Sequence, residues 1–180
     1  DTQLNISPTY LRRGYAFGGS CLPKDLRALT YQAKANDVEI PLLSAIVPSN
    51  KTHMERGISL VEAAKNKNVG VLGLSFKAGT DDVRESPIIP LIETLVGRGY
   101  QVGIFDNHVD PDGLIGANKR FLEKELPHIT SLMKASIKEV LNTADTIVLA
   151  NNCKGNPEHK DALSEEHTVI DLVGNRVDKN

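Results

Sequence analysis

Apolar positions along the chain follow two different rhythms. After Pro23, a residue suited to the first turn of a helix, Leu26, Leu29, Tyr31 and Ala33 follow within one helical segment. Between residues 41 and 66, Leu43, Ile46, Val47, Met54, Ile58, Val61 and Ala64 fall close to helical spacing, and Pro48 is expected to kink or divide that segment. Residues 1 to about 22 carry no such period: Ser-Pro, Gly14 and Gly18-Gly19 punctuate a loop. From residue 69 the rhythm changes to short apolar runs alternating with helical stretches. Strands are expected at 69–76 (VGVLGLSF), 100–106 (YQVGIFD), 145–151 (DTIVLAN) and 167–173 (HTVIDLV). Helices are expected at 87–99, with Gly99 as the residue just past its end, near 116–126 and near 136–142. The pattern predicts an α/β fold, a Rossmann-like parallel sheet domain over 67–180 preceded by a helical arm over 1–66. The apolar face of 41–66 is too long for the first helix to cover, which predicts a homodimer or higher homo-oligomer through the arm.

Composition narrows the partners. Of 180 residues, 40% are hydrophobic and 24% charged, the balance of a globular protein with one full core. A formal net charge of −2 gives no electrostatic reason to expect nucleic acid or an anionic membrane. No apolar run approaches the ~18 residues of a membrane span, and the opening DTQLNISPTY has neither a basic nor an apolar targeting region. Cys21 and Cys153 lie far apart in unlike contexts, so neither a disulfide framework nor a zinc site is expected, and a reducing cytoplasm is the expected compartment. The chain starts with Asp on a polar stretch that reads as the interior of a longer protein.

Two stretches carry chemistry. In FGGSCLPKD (17–25) a helix start at Pro23 places Cys21 beside unpaired N–H groups and a positive dipole end, with Lys24 near, an arrangement that favours a reactive thiolate; a small buried cysteine at a helix cap is the alternative. Gly18-Gly19 lets backbone or substrate approach closely. In SFKAGTDDVRESP (75–87), after the first strand and before a helix, Lys77 and Arg84 are cations placed for phosphate and Gly79 supplies a turn. Asp81 and Asp82 read better as capping or Arg84-pairing acids than as metal ligands. GVLGLSFKAG lacks the GxGxxG spacing, so a mononucleotide is easier to accommodate than a dinucleotide. Asp106 closes the second strand, where an acid either holds a ribose hydroxyl or caps the next turn. His53, His108, His128, His159 and His167 have no helical partner and read as solvated; Cys153 reads as incidental, and no metal site is expected.

Together, FGGSCLPKD and GLSFKAGTDDVRESP (73–87), separated by a helical segment, closely resemble the nucleotide-sugar 6-dehydrogenases, the family of UDP-glucose and GDP-mannose dehydrogenases. The stretch YLRRGYAFGGSCLPKDLRALTY is more similar to the GDP-mannose branch, where Arg-x-Gly-aromatic-Ala leads into the glycines. The resemblance implies a three-part enzyme: an N-terminal NAD-binding domain, which this chain does not match, a central helical dimerisation region and a C-terminal domain for the nucleotide sugar. It implies that NAD oxidises the sugar's C6 alcohol twice, through a cysteine-bound thiohemiacetal and thioester. Carried over by position, Cys21 is the nucleophile and Asp25 assists water activation. Lys24 and Arg84 meet the cofactor, and Tyr10, Arg12, Tyr15, Gly18 and Lys77 hold GDP-mannose or a related nucleotide sugar. Thr9 departs from the aromatic found in some relatives. The competing expectations are a UDP-sugar dehydrogenase and a non-catalytic nucleotide-binding or dimerisation module. The chain by itself is expected to lack dehydrogenase activity.

Overall fold

The computed structural model of the chain describes residues 14–77, 79–109, 116–151 and 163–174, with the side chains of 116–119 and 125 excepted. The arm is two helices, α1 (Leu22–Ala35) and α2 (Pro41–Ala63). They are followed by β1 (Asn68–Leu72), α3 (Ile88–Gly97), β2 (Gln101–Phe105), α4 (Gly116–Glu125), α5 (Pro127–Thr130), α6 (Ile137–Thr143), β3 (Thr146–Leu149) and β4 (Thr168–Asp171). The strands form one parallel sheet in the order β2-β1-β3-β4, with Val71 opposite both Ile104 and Val148. The α/β expectation therefore holds. Because the chain leaves β1 toward β2 and later returns to β3 on the other side, the strand order reverses between β1 and β3, the kind of point at whose carboxyl ends open parallel α/β sheets bind ligands.

Alternation along the strands separates two cores. Val69, Val71, Val102, Ile104 and Val148 pack with Val61 of α2, Leu91, Ile92 and Leu95 of α3, and Ile129 of α5. On the other face Leu72 and Ile147 meet Ile137, Val140, Leu141 and Ala144 around α6. The outer edge of β2 is not left bare. The Ile104 N–H donates to the Leu132 carbonyl at 3.0 Å, and the Lys134 N–H to the Ile104 carbonyl at 2.8 Å. A short segment thus covers that edge.

Local chemistry sets the boundaries. α3 ends in a Schellman motif: Gly99 takes φ +77°, its N–H donates to the Val96 carbonyl at 2.9 Å, and the Tyr100 N–H to the Leu95 carbonyl at 3.0 Å. β1 stops at Leu72, short of the expected residue 76, because Gly73 turns left-handed with φ +104° and takes the backbone off the ladder. Pro48 does not divide α2, which runs unbroken for 23 residues. Both Pro48 and Ser44, whose carbonyl loses its helical donor, are exposed, so water satisfies the freed group. α5 is an element the sequence pattern does not announce, at only four residues. No helix among the described residues is long and apolar enough to cross a membrane.

Gly70 and Gly103 face the α6 side with different room. A Cβ on Gly70 would lie 2.6 Å from Val140 Cγ1 and 2.9 Å from Ile147 Cδ1, whereas on Gly103 the nearest atom is Lys134 Cε at 3.6 Å. Gly70→Ala is expected to destabilise the fold by about 1–3 kcal/mol through overpacking, and Gly103→Ala to be neutral or stabilising by up to about 1 kcal/mol. Urea midpoints at constant slope check the contrast.

Candidate functional site

The segment before α1 is built to lie on α2. Tyr15 donates its hydroxyl to the Met54 carbonyl at 2.9 Å, and its ring covers Gly57, where a Cβ would come within 2.4 Å of the ring. Burial of that phenol raises its pKa well above the ordinary value. One turn earlier, Asn50 grips the backbone of Phe17: its Oδ1 accepts the Phe17 N–H and its Nδ2 donates to the Phe17 carbonyl, both at 2.9 Å. A paired amide satisfies two main-chain groups that a loop would otherwise leave to water.

Thus held, the loop presses its glycines on the chain that follows β1. A Cβ on Gly18 would fall 2.1 Å from the Glu85 carbonyl oxygen, and one on Gly19, at φ +87°, would fall 2.8 Å from the Phe76 ring. The backbone comes this near only because neither residue has a side chain. Arg27 of α1 then reaches the same place, pairing with Glu85 at 2.7 and 3.4 Å. Both partners are about half exposed, so solvent screens the pair and it orients more than it stabilises.

Cys21 is the N-cap of α1. Its carbonyl accepts the Asp25 N–H at 2.8 Å, the first bond of the helix, while no side chain caps the helix end. The thiol is exposed, with Ser20 Oγ 3.8 Å away, so the sequence alternative of a buried cap cysteine does not hold. Asp25, one turn on, shares its face, and Lys24 holds Asp25 at 3.0 Å. The Lys24 ammonium is stabilised first by its hydrogen bond to Asp25 and in smaller part by the Cys21 sulfur. Arg84 likewise feels Asp82 most and Cys21 less. The thiol therefore has two cations within electrostatic reach, one from each sequence stretch.

The chain after β1 is as tightly arranged. Phe76 donates its N–H to the Asp82 carbonyl at 3.1 Å, and Gly79, φ +79°, turns the tip. Ser75 and Thr80 hydroxyls both donate to the Lys77 carbonyl, at 3.0 and 2.7 Å, fixing the Lys77 backbone while its side chain stays exposed. Arg84 forks onto Asp82, Nε to Oδ1 and Nη2 to Oδ2, each at 2.8 Å, and holds that carboxyl below the ordinary range. Asp82 is thus the Arg84 partner expected from sequence. Asp106, closing β2, is buried and accepts the N–H groups of Leu74 and Ser75 on Oδ2 and of His108 on Oδ1, which realises the turn-capping alternative.

Cys21, Lys24, Asp25 and Gly18 are gathered with Arg84 along one seam, and Tyr15 is turned away from it toward α2. Tyr10, Arg12 and Thr9, and also Cys153 and His159, lie outside the described residues. Sequence reasoning missed Asn50, Arg27, Glu85, Ser75 and Asn151. Arg27 and Glu85 read as ordinary surface charges, and Asn50 as the polar face of a helix. His167 is corrected from solvated to tethered: Nδ1 accepts the Ser164 N–H at 3.1 Å, leaving Nε2 to donate to the Leu141 carbonyl at 3.1 Å. Among the described residues no three His, Cys, Asp or Glu side chains come together as a metal site would need.

Comparison with known proteins accounts for both halves of this seam. Residues 1–52 match the central domain of the UDP-glucose/GDP-mannose dehydrogenase family, and residues 70–174 match its UDP binding domain. A GDP-mannose 6-dehydrogenase of Pseudomonas putida is 48% identical over 178 residues, 97% of this chain and 40% of the relative. A UDP-glucose 6-dehydrogenase of Rickettsia bellii is 38% identical over 149 residues, 80% of this chain and 32% of the relative. The crystal structure of a ternary complex of GDP-mannose dehydrogenase from Pseudomonas aeruginosa superposes with a TM-score of 0.88 at 44% identity, covering 97% of this chain and 40% of that one. The chain thus spans about two fifths of the length of these GDP-mannose relatives. With the sheet domain and the thiol loop each matched in order, the chain belongs to the UDP-glucose/GDP-mannose dehydrogenase family.

Proposed function

We propose that this chain is the central and C-terminal part of a GDP-mannose 6-dehydrogenase, an NAD-dependent enzyme that takes the C6 alcohol of the sugar to a carboxylate. The observation that carries the reading is the contact of Gly18 and Gly19 with Glu85 and Phe76, which brings an exposed cysteine at a helix N-terminus against the loop beyond β1. The identities of 42–48% to GDP-mannose enzymes, against 38% over a shorter span to the UDP-glucose enzyme, favour the GDP-sugar over the UDP-sugar. They also disfavour a non-catalytic module. In this reading residues 1–66 form the thiol loop and dimerising arm, and 67–180 the nucleotide-sugar domain. The exposed, unpaired thiol suits a reducing cytoplasm.

NAD, when bound, would accept one hydride from the sugar carbon in each of two successive oxidations, so that two NAD molecules are reduced per carboxylate formed. Lys24 and Arg84, both with solvent-facing surface near Cys21, fit an anionic edge of that cofactor, and in this reading its main cradle is a GxGxxG-bearing part of the whole protein other than this chain's residues. Cys21 adds as thiolate to the C6 aldehyde, forming a C–S bond and a hydroxyl. Loss of the second hydride and the hydroxyl proton leaves a thioester, and water then attacks its carbonyl carbon. The C–S bond breaks, the sulfur leaves as thiolate, and the sugar departs as carboxylate. Asp25, on the face of α1 that carries Cys21, accepts the proton of that water. Lys77, at the loop tip, takes a phosphate of the nucleotide, and Gly18 keeps the path to the thiol free of a side chain. Tyr10 and Arg12 complete the substrate side in this reading, whereas Tyr15, turned onto α2 with its hydroxyl on the Met54 carbonyl, anchors the loop that carries them.

Three outcomes are expected. Cys21→Ser in the full-length enzyme should lower carboxylate formation by at least about a thousandfold, the scale on which an essential nucleophile acts; an unchanged rate of acid production contradicts the assignment. Lys77→Ala should weaken GDP and UDP alike, by about 1.5–3 kcal/mol for a lost charge-assisted bond, with GDP the tighter ligand of the unmodified chain; calorimetric titration with tighter UDP argues for the UDP-sugar alternative. Finally, the arm leaves Leu42 79%, Tyr31 72% and Leu22 54% exposed, the surface expected of a dimer seam. Sedimentation should show a dimer that Leu42→Asp weakens; a monomer at high micromolar concentration speaks against it.

A further inference from the structure

We propose that Asp106 is a positioning residue for the nucleotide-sugar site, acting through the loop that carries Lys77 and Arg84 rather than by touching the ligand; the proposal rests on the reading of that site given above. Its carboxylate is 7% exposed at the carboxyl end of β2. Oδ2 receives the Leu74 N–H at 2.7 Å, the Ser75 N–H at 3.1 Å, and lies 3.3 Å from both Ser75 Oγ and Asn151 Nδ2. Oδ1 receives the His108 N–H at 2.9 Å. One side chain therefore gathers the ends of three adjacent strands, β2, β1 and β3, at the place where the sheet reverses.

The geometry explains why a carboxylate is needed there. Gly73 makes the last bond to β2, its N–H donating to the Phe105 carbonyl at 2.8 Å, and its left-handed turn then takes the next two N–H groups off the ladder. Leu74 and Ser75 are fully buried, and an acceptor must reach them from elsewhere. An anionic oxygen takes several donors at once, which a neutral side chain does less well. From this anchor the path to the site is short. Ser75 Oγ donates to the Lys77 carbonyl, and Asn151 Nδ2 steadies Ser75 Oγ at 3.0 Å. The far end of the loop returns to the same point, where Ser86 Oγ donates to the Leu74 carbonyl at 2.7 Å. Leu74 is thus held by Asp106 on its N–H and by Ser86 on its carbonyl, and residues 75–86 form a loop clipped at its neck. Both Asp106 oxygens are thus engaged inside the protein, the role of a turn cap.

The experiment compares the 180-residue chain with its Asp106→Asn variant, which keeps the shape but turns an NH₂ toward donors. Two measurements are made, amide hydrogen exchange and calorimetric titration with GDP. Exchange at Leu74, Ser75, Phe76 and Arg84 should quicken by about tenfold or more while Ile104 and Leu95 keep their protection, and GDP should bind about tenfold more weakly, the loss expected when a site's preorganisation is undone. Acceleration spread equally over β2 and α3 marks a merely structural role and overturns the proposal, as does exchange that does not change. Wild-type GDP affinity in the variant overturns the link to the ligand. If the unmodified chain takes no GDP, the nucleotide-site reading fails and the exchange measurement alone decides on Asp106. Should Asp106→Asn not fold, Ser75→Ala decides: it removes the hydroxyl that meets the Lys77 carbonyl, Asp106 Oδ2 and Asn151 Nδ2 while leaving the Asp106 bonds to the Leu74 and Ser75 N–H groups, and about threefold weaker GDP with faster exchange at Phe76 is expected, whereas wild-type behaviour in both overturns the proposal.

Discussion

At residue 18 the distance between two parts of the chain is too small for any side chain. The Gly18 Cα faces the Glu85 carbonyl and the Pro87 ring so closely that a Cβ would lie 2.1 Å from one and 2.9 Å from the other. Close-packed surfaces of this kind transmit displacement, because an interior at crystal-like density has no slack to absorb it. The position of the thiol three residues on, the direction from which Arg27 meets Glu85, and the orientation of the strand-end loop all follow from this approach. Glu85 itself adopts a left-handed backbone, φ +53°, which a non-glycine residue keeps only where its surroundings over-determine it. Gly18 below its carbonyl and Arg27 on its carboxylate are those surroundings.

Each cation of the seam has its own carboxylate: Lys24 with Asp25, Arg27 with Glu85, Arg84 with Asp82. These pairs are largely solvated, so they contribute little to the stability of the fold. Their effect is on direction. An arginine already forked on a carboxylate has fewer rotamers to give up when an anion arrives. The seam is held together by packing and by main-chain hydrogen bonds, and its ion pairs set the directions of its charges.

Much of this was legible in the sequence because it is local. The helix start at Pro23, the left-handed Gly99 after α3 and the run-and-turn rhythm of the strands depend on residues within a few positions of one another. The two motif stretches were legible as separate pieces. What joins them was not: Asn50 meets Phe17 across 33 positions, Arg27 meets Glu85 across 58, and Asn151 meets Ser75 across 76. In a single sequence each is an unremarked polar residue, and only the fold gives it a partner. Pro48 erred in the other direction. A local rule forecast a kink or a division, and the helix is not divided, because a solvent-facing position made the lost hydrogen bond tolerable.

α2 grips the thiol loop with Asn50, Met54 and Gly57 and, farther along, inserts Val61 into the core of the sheet. One continuous run of helix, about 16 Å from Asn50 to Val61 at 1.5 Å per residue, therefore sets the spacing between the cysteine and the strands. Such a helix is a ruler with a phase as well as a length. Lengthening it by one residue between those points would advance the far end by about 1.5 Å and rotate it by about 100°, carrying the Tyr15 and Phe17 grips off the face that meets the sheet. Substitutions on its solvent side leave the ruler intact, while insertions and deletions within it do not. Variation in length is consequently tolerated in the linkers at either end of α2 and excluded from the span between.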